Sequence, residues 1–169
     1  MINLIPLLFL FQDVQFPDWD RLAAKATEKV EVTLDGAMLN LSAGFLSADK
    51  PDEARIKKMI GDLKGIFVRS LTFAKEGEYS AADVDKIREQ LKPPAWNRIV
   101  DVRGKSDNAG VYLKTDGKQI QGLVVIAAEP KELTIVNIVG IIDPALMKEL
   151  GGKLGIPNID LERKRKKDD

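Results

Sequence analysis

The stretch IQGLVVIAAEPKELTIVNIVGII, residues 120–142, decides the fold of this chain. It holds two long apolar runs, LVVIAA and LTIVNIVGII, which are separated only by Glu129-Pro130-Lys131-Glu132. Proline at the second position of a four-residue turn already has the φ angle that a β-turn needs there. Strands that are buried on both faces read as continuous apolar runs rather than as alternating ones. The stretch therefore predicts two neighbouring antiparallel strands at the centre of a sheet.

Three further strands are predicted around this pair. RIVDVR at 98–103 and VYLKT at 111–115 alternate polar and apolar residues, as strands with one solvated face do. SDNAG at 106–110 connects them, and Asp116-Gly117 fits a two-residue type I′ hairpin turn that leads into IQGLVVIAA. These four strands make a C-terminal meander. GIFVRSLTF at 65–73 is rich in β-formers and adds a fifth strand.

Helices are predicted before and between the strands. A first helix is expected to start at an Asp18 cap, and a second to cover residues 36–47. A third starts at Pro51 and stops at Gly65, and the capping pair of Ser80 and Asp83 starts a fourth. The apolar stripes of these helices are Trp19, Leu22, Ala23, Ala26 and Val30; Met38, Leu41 and Phe45 with Ser42; Ile56, Met59, Ile60 and Leu63; and Val84, Ile87 and Leu91.

A closing helix is predicted after the last strand, because Asp143-Pro144 combines a cap with a first-turn proline. Residues 144–154 form this helix, and the glycines of GGKLG at 151–155 end it. The whole pattern predicts an α+β fold, with an antiparallel sheet of about five strands and helices mainly on one face.

Three segments are expected along the chain. Residues 1–15 hold an apolar run from Ile2 to Phe11, which fits an export signal or an apolar arm that docks on the core. Residues 16–158 form a single globular domain. Residues 159–169 end in RKRKKDD, a charged tail too polar to pack and expected to be disordered. No transmembrane span is expected once a signal is removed, since a span needs about 20 apolar residues.

The composition excludes several kinds of chemistry. The chain has no cysteine and no histidine, so disulfides, thiolate nucleophiles, zinc–sulfur sites and histidine general bases are all ruled out. Basic and acidic residues balance at 26 each, and the folded part shows no basic cluster of the kind that binds nucleic acid. We therefore predict no catalytic residues, no cofactor, no metal and no nucleic-acid partner. Carboxylate or lysine chemistry is the enzymatic alternative that remains open.

Motifs that suggest catalysis or ligand binding have simpler explanations. GGKLG lacks the first glycine and the final Ser or Thr of a phosphate-binding loop, and it follows a helix instead of starting one. Ser42 in NLSAG has no histidine to deprotonate it and is expected on a packed helix face. Asp107 and Asn108 in SDNAG suit a turn better than a calcium loop.

Two residues stand out as candidate ligand or partner contacts. Asn137 is a polar amide within the apolar run LTIVNIVGII, and its simplest role is a hydrogen-bonded asparagine in the sheet. Trp96 follows Pro93-Pro94, and its simplest role is to anchor a loop against the core. A binding role is the alternative for both.

Four segments together resemble a known family. AEPKELTIVNIVGIIDPALMKELGGKLGIP at 128–157, VTLDGAMLNL at 32–41, LKGIFVRSLTF at 63–73 and PPAWNRIVDV at 93–102 are similar to the bacterial family of domain of unknown function 4252. The resemblance covers about residues 18–157. It implies a small, bacterial and usually exported protein with no established activity and no catalytic residues to transfer. The N-terminus departs from this pattern because its export signal is weak, which a wrongly assigned start codon would explain.

The function expected from these observations is that of a non-enzymatic protein of the bacterial envelope or periplasm that binds another envelope protein. The alternative is a domain that binds a small molecule or lipid in a pocket between the sheet and its helices. The protein is cytoplasmic if the N-terminus is not a signal. The sequence does not predict the oligomeric state.

Overall fold

The computed structural model describes residues 14–145. The predicted export signal, the charged tail, GGKLG and most of the closing helix lie outside these residues. The start of that helix is included, and there the Asp143 carboxylate accepts the N–H of Ala145 at 2.8 Å. This bond is the one that the predicted cap requires.

The described residues form an α+β fold with one six-stranded antiparallel sheet. The strands lie in the order β1-β2-β6-β5-β4-β3. The elements are α1 (Trp19–Ala23), β1 (Glu28–Asp35), α2 (Gly36–Gly44), α3 (Pro51–Gly61), β2 (Leu63–Thr72), α4 (Ala81–Arg88), β3 (Trp96–Arg103), β4 (Asn108–Asp116), β5 (Gln119–Glu129) and β6 (Glu132–Ile142). The predicted fold class, the C-terminal meander and the central position of its last two strands are confirmed.

The prediction of about five strands falls one short, because residues 28–35 form a strand at the edge of the sheet. The sequence leaves Val30 open between the stripe of the first helix and a strand-like alternation with Val32 and Leu34. In the structure α1 ends at Ala23, and Val30 pairs with Ser70 on β2. The alternation of Val30, Val32 and Leu34 is the strand signal in this segment. The segment forms a strand because it pairs with β2, about forty residues further along the chain. The first helix is short and ends before this segment begins.

Two local boundaries also differ from the prediction. α3 ends at Gly61, whereas Gly65, the predicted stop, lies within β2 under the ring of Phe67. A Cβ at position 65 would lie 2.7 Å from the Phe67 Cε2 atom, so this glycine makes room for the aromatic ring of the strand itself. Leu63 therefore belongs to the strand and not to the stripe of α3.

The hairpin between β4 and β5 turns one residue later than predicted. Asp116 pairs with Gln119, so the two turn residues are Gly117 and Lys118. Gly117 has a φ of +60°, whereas Asp116 has no positive φ, so the type I′ turn at Asp116-Gly117 is wrong. The predicted turn after β5 is confirmed, with Glu129 opposite Glu132 and Pro130-Lys131 between them.

Helices cover both faces of the sheet. The prediction that they lie mainly on one face therefore needs correction. One face, which we call the α1/α4 face, is covered by Trp19 and Leu22 of α1 and by Val84 and Ile87 of α4. The sheet residues on this face include Val124, Ile126, Leu133 and Ile135. Those of the α2/α3 face pack with Leu39 and Met59, and include Leu123, Val125, Val136 and Ile138. Alternate residues of β5 and β6 enter opposite clusters. Since both faces of these strands are apolar, both need cover.

The helix starts are partly as predicted. Ser80 and Asp83 form a reciprocal capping box at the start of α4, which confirms that pair. Asp18 does not cap α1: its φ is +59°, and its side chain makes ion pairs with Lys86 and Arg21 instead. The Asp35 carboxylate caps α2 by accepting the N–H of Met38 at 2.9 Å. α2 falls within the predicted helix at 36–47.

Candidate functional site

Asn137 lies in the middle of β6, with Phe67 opposite it on β2 and Val124 opposite it on β5. Because Val124 belongs to the α1/α4 cluster and cross-strand partners share a face, the amide points to the α1/α4 face. Its side chain is fully buried, and neither Nδ2 nor Oδ1 has a hydrogen-bond partner within residues 14–145. The hydrogen-bonded role expected for Asn137 therefore has no partner among residues 14–145 to supply it. A buried amide without partners costs about 1–3 kcal/mol, so it needs another explanation.

Trp96 is the first residue of β3 and is 5% exposed. Its ring packs beside Gly122, where a Cβ would lie 3.1 Å from the Trp96 Cη2 atom, and the Lys114 Nζ atom lies 5.9 Å from the ring centroid. These contacts are those of a core anchor. Two strands, β4 and β5, lie between β3 and β6, so the structure does not bring Trp96 and Asn137 into one site.

Helix α2 carries an exposed apolar surface. Leu39 and Ala43 are buried against the core, whereas Met38, Leu41 and Phe45 are 45%, 61% and 85% exposed. We call these three residues the α2 surface. The sequence pattern grouped them with Ser42 as one stripe of a packed helix. The structure turns this stripe outward, and the Ser42 hydroxyl donates to the Met38 carbonyl at 2.9 Å.

The exposed apolar residues are concentrated in one part of the sequence. Val30 on β1 is 41% exposed, and with the α2 surface it makes four of the seven large apolar residues that are exposed in the described chain. The others are Ile99, Val102 and Ile141. Large apolar side chains that are grouped on a surface mark interaction sites more often than scattered ones do. A sequence signal for this surface exists, since α2 has no charged residue and is apolar on almost every side.

Ion pairs and hydrogen bonds hold α1 and α4 on their face of the sheet. The Asp83 carboxylate accepts the Ser80 N–H and hydroxyl and forms a 2.6 Å ion pair with the Arg21 guanidinium. Burial acts to raise the pKa of Asp83, but these donors outweigh it and hold the pKa below its usual value. The hydrogen bond from Lys86 lowers the pKa of Asp18 on the neighbouring helix. Both carboxylates are thus charged at neutral pH and have structural partners.

Hydrogen-bond donors lower the pKa of two other carboxyl groups. Glu31 on β1 accepts the Trp19 indole N–H at 2.9 Å, which is the main cause of its lowered pKa. Glu53 on α3 accepts the backbone N–H of Ser47 at 2.8 Å with the same result. Among the described residues, the carboxyl groups with a resolved pKa shift all shift downward. A general acid at neutral pH needs a shift in the opposite direction.

Among the described residues, Tyr79 has a strongly shifted side-chain pKa. Its hydroxyl donates to the carbonyl oxygens of Glu129 and Glu132 at the turn between β5 and β6. Burial, together with the nearby charges of Glu129, Asp107 and Glu132, raises its pKa to about 12. The phenol is therefore neutral and ties the segment before α4 to the central hairpin.

The grooves on the described surface are open and partly polar. A groove of about 530 Å³ lies beside α1 and is lined by Phe16, Trp19, Glu31 and Arg69. Another of about 620 Å³ lies between α4 and β3 and is lined by Arg88, Arg98, Arg103 and Tyr112. A third of about 350 Å³ lies beside Tyr79. Asn137 lines none of these three grooves.

Two further properties concern the described residues alone. Within residues 14–145, no three acidic side chains come together in a group that could hold a metal ion. The same part of the chain has no helix with the length and hydropathy needed to cross a membrane.

The fold and this surface define a class: a small α+β protein with an open antiparallel sheet, helices on both faces and an apolar surface helix. The chain belongs to the family described as domain of unknown function (DUF4252), which matches residues 24–150. The resemblance seen in the sequence is thereby confirmed. No curated protein and no solved structure is significantly similar to the chain.

Proposed function

We propose that this protein is a non-enzymatic, exported protein of the bacterial envelope that acts by binding another protein through the α2 surface. The observation that carries the proposal is the exposure of Met38 and Leu41 on a helix without charged residues, and of Phe45 directly after it. The envelope location rests on the apolar run from Ile2 to Phe11. The resemblance of the chain to a family of usually exported proteins supports this location as well.

The α2 surface has the chemistry of a protein contact. Protein interfaces have an apolar centre that is depleted of charged residues and enriched in aromatic residues and methionine. Phe45 and Met38 supply such side chains, and the branched side chain of Leu41 lies between them in the sequence. The Asp35 carboxylate accepts the N–H of Met38 in the first turn of α2, which stabilises the start of the helix that presents this surface. Binding energy at such surfaces is concentrated in a few large side chains.

The test is to express the chain with a C-terminal tag in a bacterial host, fractionate the cells and determine the N-terminal sequence. We expect tagged protein in the envelope fraction with residues near the N-terminus removed. Recovery of the chain in the cytosol with Met1 intact would refute export.

The same tagged chain tests binding through co-purification from the envelope fraction. The double variant Leu41→Ser/Phe45→Ser should lose a partner that the wild type retains, by a factor of at least about 100 in Kd. The matched control is Ile99→Ser, which changes another exposed apolar residue, 45% exposed, on β3. Equal partner recovery by the wild type and the double variant would refute the α2 surface as the contact.

A second candidate function is the binding of a small molecule or lipid, and it is favoured by the amide of Asn137, which has no partner among the described residues. Buried polar groups that fix the orientation of a ligand inside an otherwise apolar site have this character. Replacing Asn137 with leucine tests the candidate, because a ligand carried through purification of the wild type should be absent from the variant when both are analysed by mass spectrometry. A ligand retained by Asn137→Leu would count against it.

A further inference from the structure

The outer edge of β1 has backbone groups that are free to pair. The N–H of Phe73 donates to the carbonyl of Lys131, so odd-numbered residues of β2 bond to β6 and even-numbered ones bond to β1. In β1 the even-numbered residues consequently bond to β2. Lys29, Glu31 and Thr33 direct their N–H and C=O groups outward. In the described part of the chain, β1 ends the sheet on this side.

The opposite edge of the sheet has a register shift that β1 lacks, whereas both edges carry ion pairs, such as the one between Lys29 and Glu31 on β1 at 3.4 Å. β3 has a register shift between Arg98 and Val100, and Asp101 forms 3.2 Å ion pairs with Arg98 and with Arg103. Bulges and charged side chains are the features that keep edge strands from pairing with other chains. β1 pairs with β2 over eight consecutive residues without a shift. It is therefore a regular, extended template for another strand.

We propose that a second copy of this chain pairs with β1, antiparallel, about a two-fold axis at Val32. A two-fold axis brings the same strand of both copies together, so the strand must complement itself. With Val32 opposite itself, Val30 faces Leu34 of the partner subunit, and Lys29 faces Asp35 of the partner subunit. Both contacts occur twice. The pairing thus joins apolar side chains to apolar ones and opposite charges to each other.

The neighbouring registers do not satisfy this condition. A two-fold axis at Glu31 places that carboxylate opposite its own copy. An axis at Thr33 places Glu31 opposite Asp35 of the partner subunit. Like charges directly opposite each other destabilise a strand pair. An axis at Val30 avoids like charges, but it leaves Thr33, Leu34 and Asp35 unpaired.

A row of valines crosses the sheet and ends on β1 at the proposed contact. Val32 is the first of six valines that lie opposite one another across all six strands on the α2/α3 face, followed by Val68, Val136, Val125, Val111 and Val100. The row is buried in its central strands and only half-buried at Val32. Pairing at Val32 covers this end and continues the row into the second copy.

The pairing goes beyond the function proposed above and does not depend on it. A two-fold axis perpendicular to the sheet keeps equivalent faces on the same side, so the two α2 surfaces of the dimer would face the same way. A partner with two sites would then bind both at once, which strengthens binding without any new contact. The dimer itself rests on β1 alone.

A single introduced cysteine tests the register, because the natural chain has none. Val32 would lie opposite itself in a non-hydrogen-bonded pair with Cα atoms about 4.5 Å apart, within the range of a disulfide. The full chain with Val32→Cys should therefore form a covalent dimer under mild oxidation. Val30→Cys is the matched control: it is on the same face, but its two copies would be four residues apart along the strand, about 13 Å. Cross-linking through Val30→Cys, or through neither, would overturn the register.

Sedimentation equilibrium of the full chain tests the dimer itself. The wild type should have twice the 18.7 kDa mass of one chain. Thr33→Pro removes an outward N–H and keeps the backbone bonds between β1 and β2, and it loses only the 3.1 Å bond that the Thr33 hydroxyl accepts from Arg69 on β2. It should therefore give a monomer with an unchanged circular dichroism spectrum. A monomeric wild type, or a dimeric Thr33→Pro, would refute the proposal. Leu41→Ser/Phe45→Ser should stay dimeric, which separates this contact from partner binding by α2.

Discussion

Asn137 is the residue at which local chemistry and the fold disagree most. An asparagine in the central strand of a sheet, between Phe67 and Val124, has given up its hydrogen bonds to water without gaining any from the described protein groups. Proteins tolerate such groups mainly where function requires them, because stability is lost at that position. The amide therefore needs an explanation whether the protein binds another protein or a small molecule.

Replacing Asn137 with leucine, which has the same branched arrangement of four side-chain heavy atoms, should raise the free energy of unfolding by about 1–3 kcal/mol, because it removes two polar atoms that lack partners among the described residues. Urea unfolding of both proteins measures the change. Asn97→Leu on the exposed part of β3 is the control and should stay within about 0.5 kcal/mol of the wild type. A loss of stability in Asn137→Leu would mean that the amide has a bonding partner in solution.

At the scale of elements, α4 is the helix whose position is most clearly fixed by polar contacts. Ser80 and Asp83 satisfy each other's backbone N–H groups, and Arg21 of α1 then binds the same Asp83 carboxylate. The local pattern of the sequence contains the capping box. It does not contain the contact with Arg21, which joins two helices 62 residues apart along the chain.

Ser80→Ala should lower the free energy of unfolding by about 1 kcal/mol, since the N–H of Asp83 loses its acceptor and Asp83 loses a donor. Thermal unfolding followed by circular dichroism is a suitable measurement. Ser106→Ala, in the turn before β4, provides a control in which a serine hydroxyl is removed outside any cap, with an expected change under about 0.5 kcal/mol. Equal changes in the two variants would argue against the capping box as a source of stability.

For the whole molecule, the lowered carboxyl pKa values determine how stability depends on pH. A carboxyl group with a folded-state pKa below its unfolded value stabilises the fold above the unfolded pKa, and this contribution is lost as the pH falls through the folded pKa. The groups concerned are Asp18 and Asp83, with an ordinary value of 3.8, and Glu31 and Glu53, with 4.5.

We therefore expect the free energy of unfolding to be level near neutral pH and to fall once the pH drops below about 4.5. Urea unfolding at a series of pH values measures this. Arg21→Gln removes the ion-pair partner of Asp83 and one of the two partners of Asp18, so its curve should start lower and fall less steeply in acid. A wild-type stability that rises on acidification would contradict the assignment of these carboxylates.

The molecule as a whole shows where sequence reasoning succeeds and fails. The central hairpin, the proline turn after β5 and the capping box of α4 were predictable because each depends on a few adjacent residues with strong local preferences. Strand β1 was read partly as helix, since Val30 fits both a helical stripe and a strand alternation over so few residues. The exposure of the α2 surface was also missed, because helical spacing does not say which side of an all-apolar helix meets the core.

The sequence by itself determined the α+β class, the two central strands, the turn after β5, the capping box of α4, and the absence of histidine and cysteine chemistry. These follow from local backbone preferences and from the list of available side chains. Only the tertiary structure decided that β1 pairs with β2 at the sheet edge, that helices cover both faces, and that Asn137 is buried with no partner in the part of the chain that the structure describes. Those outcomes depend on contacts between residues far apart along the chain. These contacts stabilise the protein only once the sheet has formed.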